Sequence, residues 1–231
     1  MITALISATV PDVARDVKPR VQDPRRYDSP IRRARALETE TRILNAAGEL
    51  FAERGYVGTS LAAIAERAEI NARTLYKVFA TKVELLSRLV DVSMVGDQGD
   101  VAVAQREWSA GAFDAETGAE RVRVFAAVIR RVMESAGAAF RTAAQAAAAD
   151  EDAAVLWKTG QQHRRHDATE FVAALERSRL LRSDQTREQA IATVWLVTSP
   201  ETFIQLTDGS GLTLDEFQLW VEKTLQGTAV G

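Results

Sequence analysis

The chain is predicted to be all-α, with a three-helix unit carrying a helix-turn-helix ahead of a longer helical part. Three observations predict this. Apolar residues recur at i, i+3, i+4 and i+7, as in Val122, Phe125, Ala126, Ile129 and Met133, while the alternation expected of strands is missing. Hydroxyl-led capping sequences open several of these runs, Thr81 with Glu84 and Thr213 with Glu216 among them. Between Thr59 and Lys82, two short amphipathic runs flank the interruption Glu69-Ile70-Asn71, the pattern of two helices around a tight turn.

Taken in order, residues 1–36 hold Pro11, Pro19, Pro24 and Pro30 among Arg15, Lys18, Arg20, Arg25, Arg26, Arg32, Arg33 and Arg35. Proline removes an amide donor and resists helix interiors, so this stretch reads as an irregular basic arm. It is either a solvated tail or an arm reaching an adjacent groove, with Arg32, Arg33 and Arg35 best placed for the second. Residues 37–54 form the first helix, with Ile43, Ala46, Ala47, Leu50 and Phe51 as its apolar stripe and Gly55 as its stop. Thr59 or Ser60 caps the next helix, whose inner face is Leu61, Ile64, Ala65 and Ala68. Asn71 caps the one after, from about Ala72 to Phe79, turning Leu75, Val78 and Phe79 inward. Ala72, Arg73, Thr74, Tyr76 and Lys77 are left outward. Residues 82–95 continue the stripe with Leu85, Leu86, Leu89 and Val90.

Gly96, Gly99, Gly111 and Gly118 mark a looser connection holding at most a short helix near Val101–Trp108, and the domain boundary is placed there. This gives an arm at 1–36, a helix-turn-helix domain at 37–95 and a helical domain at 96–231. Helical patterns return at Ala119 and run through the alanine-rich stretch Ala138–Ala149. One long helix spans Asp150–Leu180, and Asp184 is expected to cap another through Val197. Pro200 kinks or restarts that helix. Gly209 and Gly211 form a loop, and a final helix runs from Thr213 to about Leu225.

Composition bounds the chemistry. The 231 residues are 46% hydrophobic and 26% charged, as in an ordinary globular chain able to bury a sizeable core. Cysteine is absent, which excludes disulfides, thiolate metal sites and cysteine nucleophiles. The apolar opening MITALISATV is short and lacks a basic start, and no apolar run reaches membrane-spanning length, so a cytoplasmic location is expected. Net charge is −3, but residues 1–95 carry 15 basic and 12 acidic residues against 14 and 20 in residues 96–231. A basic end joined to an acidic remainder suits a nucleic-acid-facing end. His163 and His166 sit one helical turn apart, yet nothing completes a coordination sphere and Arg164 and Arg165 lie between them. No nucleophile–base arrangement or phosphate-cradling glycine loop stands out, so neither an enzyme nor a cofactor is expected.

A short helix offering small, hydrogen-bonding and cationic residues is what a DNA major groove admits. The run from Thr41 to Leu86 also resembles the DNA-binding domain of the TetR family of bacterial transcriptional regulators. The resemblance rests on Ala46-Ala47, Leu50-Phe51, Gly55-Tyr56, Thr59, Ile64-Ala65, Leu75-Tyr76, Phe79, Lys82 and Leu85-Leu86. One departure is Glu69, where the family usually has glycine in the turn. On this reading Thr59, Ser60, Tyr76 and Lys82 contact phosphates, while Ala72, Arg73, Thr74 and Lys77 face the groove. The resemblance implies a homodimer on a palindromic operator of double-stranded DNA, most often as a repressor.

The segment 190–226 looks more loosely like the closing helices of some members of that family, which implies pairing of the last helices between two subunits. Phe203, Phe217 and Trp220 are the interface candidates, with intrachain core as the other reading. The resemblance also implies a cavity for a small-molecule effector within residues 119–180, with Phe125, Met133, Phe140, Trp157, Phe171 and Trp195 as candidate walls. Few charged residues fall on these faces, so a hydrophobic or aromatic effector is expected. Arg130 and Arg141 could receive an anionic group, though solvated positions suit them as well. A protein-binding adaptor with a purely structural helix-turn-helix is the alternative.

Overall fold

The computed structural model describes residues 30–95, 109 and 111–231. The basic segment before Pro30 and the short helix expected at Val101–Trp108 lie outside them.

Helix α1 spans Pro30–Arg54, beginning well before the expected start at residue 37. Proline is accepted at a first helical position because its missing amide would be unpaired there anyway. Residues 32–38 are exposed on every side, so they carry no apolar period for a sequence reading to find. Gly55, at φ 70°, ends α1 in the left-handed region. Helix α2 is Leu61–Arg67, α3 Ala72–Val78 and α4 Lys82–Val95. Their common core centres on Ile43, Leu50, Ile64, Leu75, Leu85 and Leu86, all fully buried. Each such side chain contributes about 1.5–3 kcal/mol on burial, which is what holds a unit of such short helices together. Val78, expected inward, is instead exposed, because the helix ends there and only Leu75 and Phe79 reach the core.

Helix α5 (Gly118–Ala147) is capped by Thr117, and α6 (Glu151–Arg177) by Asp150, whose side chain accepts from the amides of Asp152 and Ala153. Helix α7 spans Arg187–Val197. Its cap is not Asp184 as expected: Thr186 forms a full capping box with Gln189, and Asp184 pairs with Arg182. Ser199 caps α8 (Pro200–Ile204), so Pro200 restarts the helix rather than bending it, and one π-helical turn over Gln205–Gly209 follows. The Thr213–Glu216 capping box opens α9 (Leu214–Thr228).

Helix α5 lies at the centre, against α4, α6, α8 and α9. Phe125 on α5 stacks on Phe171 of α6 with centroids 4.1 Å apart. Phe203 of α8 meets Phe217 of α9 edge-on at 5.1 Å. Both are buried within this chain, which corrects the expectation that they form a subunit interface. Gly137 makes the approach possible, since a Cβ there would stand 2.8 Å from the Phe203 ring. The core of the first four helices also takes in Ala143 and Ala146 of α5 and Ala153 of α6, and Trp157 packs against it and the second core alike. Among the described residues no helix is long and apolar enough to cross a membrane.

Candidate nucleic-acid interface and cavity

Helices α2 and α3 are joined by a turn closed by backbone hydrogen bonds. The Ile70 amide donates to the Ala65 carbonyl and the Glu69 amide to that of Glu66, the pairing that closes a helix around a left-handed residue. That residue is Glu69, at φ 52°, so the glycine missing from the sequence is missing from a position that wants one. Arg42 of α1 supports the turn by donating from Nη2 to the carbonyls of Ala68 and Glu69. Nothing in the sequence spacing marks Arg42, because its partners lie 26 and 27 residues away.

Asn71 then caps α3, its side chain accepting from the Arg73 amide at 2.8 Å. With Leu75 and Phe79 seated in the core, Ala72, Arg73, Thr74, Tyr76 and Lys77 form one exposed surface. Most neighbouring cations are engaged: Arg67 with Glu49 and Glu53, Arg88 with Glu40, and Arg42 with the turn. Among the described residues Arg73 and Lys77 make no ion pair. Ser60 is exposed at the α2 N-terminus, its oxygen accepting from Ala63.

Of the expected phosphate contacts, Thr59 is placed otherwise and Lys82 is partly committed within the protein. Thr59 is only 1% exposed, and its hydroxyl bonds to the carbonyls of Leu50 and Gly55, so it closes the α1–α2 corner from inside. The Lys82 ammonium donates to the carbonyls of Tyr56 at 2.8 Å and Thr59 at 2.9 Å, and lies over the Tyr56 ring. Two of its three donors are therefore committed within the protein. Burial lowers its pKa from the ordinary lysine value.

Behind this unit, the Tyr56 hydroxyl donates to Asp150 Oδ2 at 2.9 Å. Burial and this bond to a carboxylate raise the tyrosine pKa well above its ordinary value, while the same bond and the capping amides lower that of Asp150.

A cavity of about 130 Å³ opens between α4, α5 and α6. Phe125, Met133, Phe140 and Trp157 line it. Phe171 does not, because it lies behind Phe125 in the stack, and Trp195 is likewise absent from the walls. The cavity is also more charged than expected, since Asp91, His163, Arg164 and Asp167 contribute to it. Arg164 faces the Trp157 ring at 5.4 Å and lies 3.7 Å from Glu201. Burial holds its pKa below the usual guanidinium range. Asp91 is pushed up to about 6 by burial, against the weaker pull of Arg88. Arg130 and Arg141 lie elsewhere, paired with Glu134 and Asp215 and with Asp208. Among the described residues no group of three or more His, Asp or Glu could hold a metal ion.

Comparison with known proteins bears on the helix-turn-helix and on the fold. The family model described as bacterial regulatory proteins, tetR family, matches residues 43–89. UidR of Escherichia coli strain K12, an HTH-type transcriptional regulator, is 42% identical over 55 residues, 24% of this chain and 28% of UidR. The match thus spans well under half of that relative. Over longer stretches the likeness is one of fold. SmeT in complex with triclosan has a TM-score of 0.65 at 16% identity, covering 84% of this chain and 92% of SmeT. NalD, the secondary repressor of the MexAB-OprM multidrug efflux pump in Pseudomonas aeruginosa, has a TM-score of 0.61 at 19% identity, over 84% and 97% of the two chains. Residues 43–89 are thus similar to the DNA-binding domain of the tetR family of bacterial regulatory proteins, and the helices behind them share the fold of these solved structures.

Proposed function

We propose that this chain regulates transcription as a homodimer that reads a palindromic operator with α3 and leaves it when a small aromatic effector enters the α4–α6 cavity. The observation that carries the DNA reading is the exposed face of α3, where Arg73 and Lys77 stand without internal partners. Solvated cations beside small side chains can follow a phosphate backbone and reach base edges. Arg73 and Lys77 donate to guanine; Ala72 and Thr74 can touch a thymine methyl. Ser60 and Tyr76 position the helix on phosphates, and Lys82 does so with its remaining donor. Residues 37–95, extended by the first turns of α1, act as the reading head, and residues 96–231 carry the effector and dimer surfaces. A cytoplasmic location goes with this role.

Two copies are required because a symmetric operator needs two reading helices about 34 Å apart. With Phe203 and Phe217 inside the chain, the interface falls on the outward side of α7 and α9, where Leu196 and Leu219 are exposed and Trp220 half-buried. NalD, which shares the fold, is a repressor, and repression is the sign proposed here. The aromatic walls of the cavity, and the triclosan held by SmeT, support an aromatic effector. The test is fluorescence anisotropy with duplexes recovered from a randomised pool. Retention of a symmetric sequence is expected, and indifference between duplexes at all salt concentrations opposes the reading.

A further inference from the structure

We propose that the α4–α6 cavity selects aromatic effectors that carry a hydrogen-bond donor, and that the Asp91 carboxylate receives it. The inference rests on the effector reading of that cavity and adds the chemical class of the ligand.

The case is one of unbalanced charge. Asp91 lines the cavity, and among the described residues it makes no hydrogen bond or ion pair. The nearest cation on its own helix, Arg88, is occupied elsewhere, with Nε 2.6 Å from Glu40. The cation across the cavity pairs with other carboxylates and not with Asp91, and is only partly compensated. Arg164 lies within the field of both Asp167 and Glu201 and faces the Trp157 ring. Its Nε and Nη2 are buried and make no hydrogen bond. What the cavity offers an incoming molecule is apolar wall, the Asp91 carboxylate lacking a donor, and opposite it the partly compensated Arg164. The carboxylate calls for a donor on the ligand and Arg164 for an acceptor, and the aromatic walls beside Asp91 favour the first.

A carboxylate withdrawn from water is costly unless something donates to it. Burial raises the Asp91 pKa, in keeping with that unmet demand. A phenolic hydroxyl or an ammonium meets it in the same way, while the ring packs on Phe125, Phe140 and Trp157. The volume of about 130 Å³ is near that known to admit one benzene ring, so single-ring probes suit the test.

Isosteric pairs separate the possibilities: phenol against toluene, benzylamine against ethylbenzene, benzoate against nitrobenzene. Affinities for the full-length protein are read by ligand-observed NMR. At least one donor is expected to bind about tenfold or more tightly than its isostere, the scale of one charge-assisted hydrogen bond. Asp91→Ala should abolish that preference. Asp91→Asn, which keeps an acceptor oxygen but no charge, should abolish it for benzylamine and spare it for phenol; which donor responds identifies the source. Equal binding of donors and isosteres overturns the proposal while leaving a hydrophobic effector site in place. So does a preference for benzoate that Arg164→Gln removes. Failure of every ring to bind overturns both this proposal and the effector reading.

Discussion

The Tyr56 hydroxyl lies 2.9 Å from Asp150 Oδ2, joining the last corner of α1 to the residue that caps α6. Two turns further along α6, Trp157 forms part of the cavity wall. One hydrogen bond thus spans the reading head and the helix an effector would touch. An effector can shift the heads only through contacts that differ between the two states, and this bond is placed to differ. Tyr56→Phe keeps the ring under Lys82 and removes only the hydroxyl. The expected loss of stability is about 1 kcal/mol by urea denaturation. DNA affinity without effector should be little changed, while the effector concentration needed for release should rise several-fold. Unchanged release in the anisotropy assay would remove this bond from the coupling.

Glu69 sits at φ 52° in the turn before α3, where a side chain is strained by about 1 kcal/mol. Glu69→Gly should therefore stabilise the protein by about 0.5–1 kcal/mol, the flexibility of glycine in the unfolded chain offsetting part of the gain. Arg42→Ala should act in the opposite direction, because the carbonyls of Ala68 and Glu69 lose their donor. Thermal melts of the two variants check both signs. Loss of DNA affinity in Arg42→Ala beyond its loss of stability would mark the residue as positioning α3.

Asp91 gives a pH dependence of defined sign. Its carboxyl titrates at about 6 in the folded chain against 3.8 for an ordinary aspartate, so the folded state holds a proton that the unfolded chain releases. Stability from this group is full below about 4 and lost as pH rises through about 6. Asp91→Asn should be more stable than the parent at pH 7.5, by about 1–3 kcal/mol. The advantage should shrink towards zero at pH 4.5. Urea titrations at the two pH values measure it, and a gap that does not narrow would place its origin outside Asp91 ionisation.

Leu196 and Leu219 are 59% and 48% exposed on α7 and α9, a cost to a lone subunit that a second copy would remove. Leu196→Glu with Leu219→Glu should yield a folded monomer by analytical ultracentrifugation and weaken operator binding by about a hundredfold or more, since a lone half-site forfeits the second head's contribution. A double variant that remains dimeric would move the interface to another face.

Much of the fold is legible in the sequence because its signals are local. Polar caps at Ser60, Asn71 and Thr213 and the left-handed Gly55 mark helix ends through contacts a few residues apart. The exposed face of α3 follows from spacing alone once Leu75 is inward. What escapes is set by distant partners. Thr59 resembles a cap until the Leu50 carbonyl is found behind it. Lys82 resembles a free cation until two carbonyls converge on it. Phe203 and Phe217 have the amphipathic spacing of an interface, and only the absent side chain at Gly137 lets α8 come close enough to bury them. Asp91 and Arg164 lie 73 positions apart, and no local pattern announces that they share a cavity.

The central claim is that the outward side of α3 reads duplex DNA. It is tested most directly by selecting duplexes from a randomised pool with the parent protein and with Arg73→Ala, then measuring salt dependence for Lys77→Ala. A symmetric motif is expected for the parent, with preference relaxed at one position per half-site in Arg73→Ala. For Lys77→Ala the slope of log affinity against log salt is expected to fall by about one per subunit if the side chain meets a phosphate, and discrimination at its base to drop by about 1–3 kcal/mol if it meets guanine. A parent protein that enriches no motif, or whose motif and salt response survive both substitutions unchanged, would contradict it.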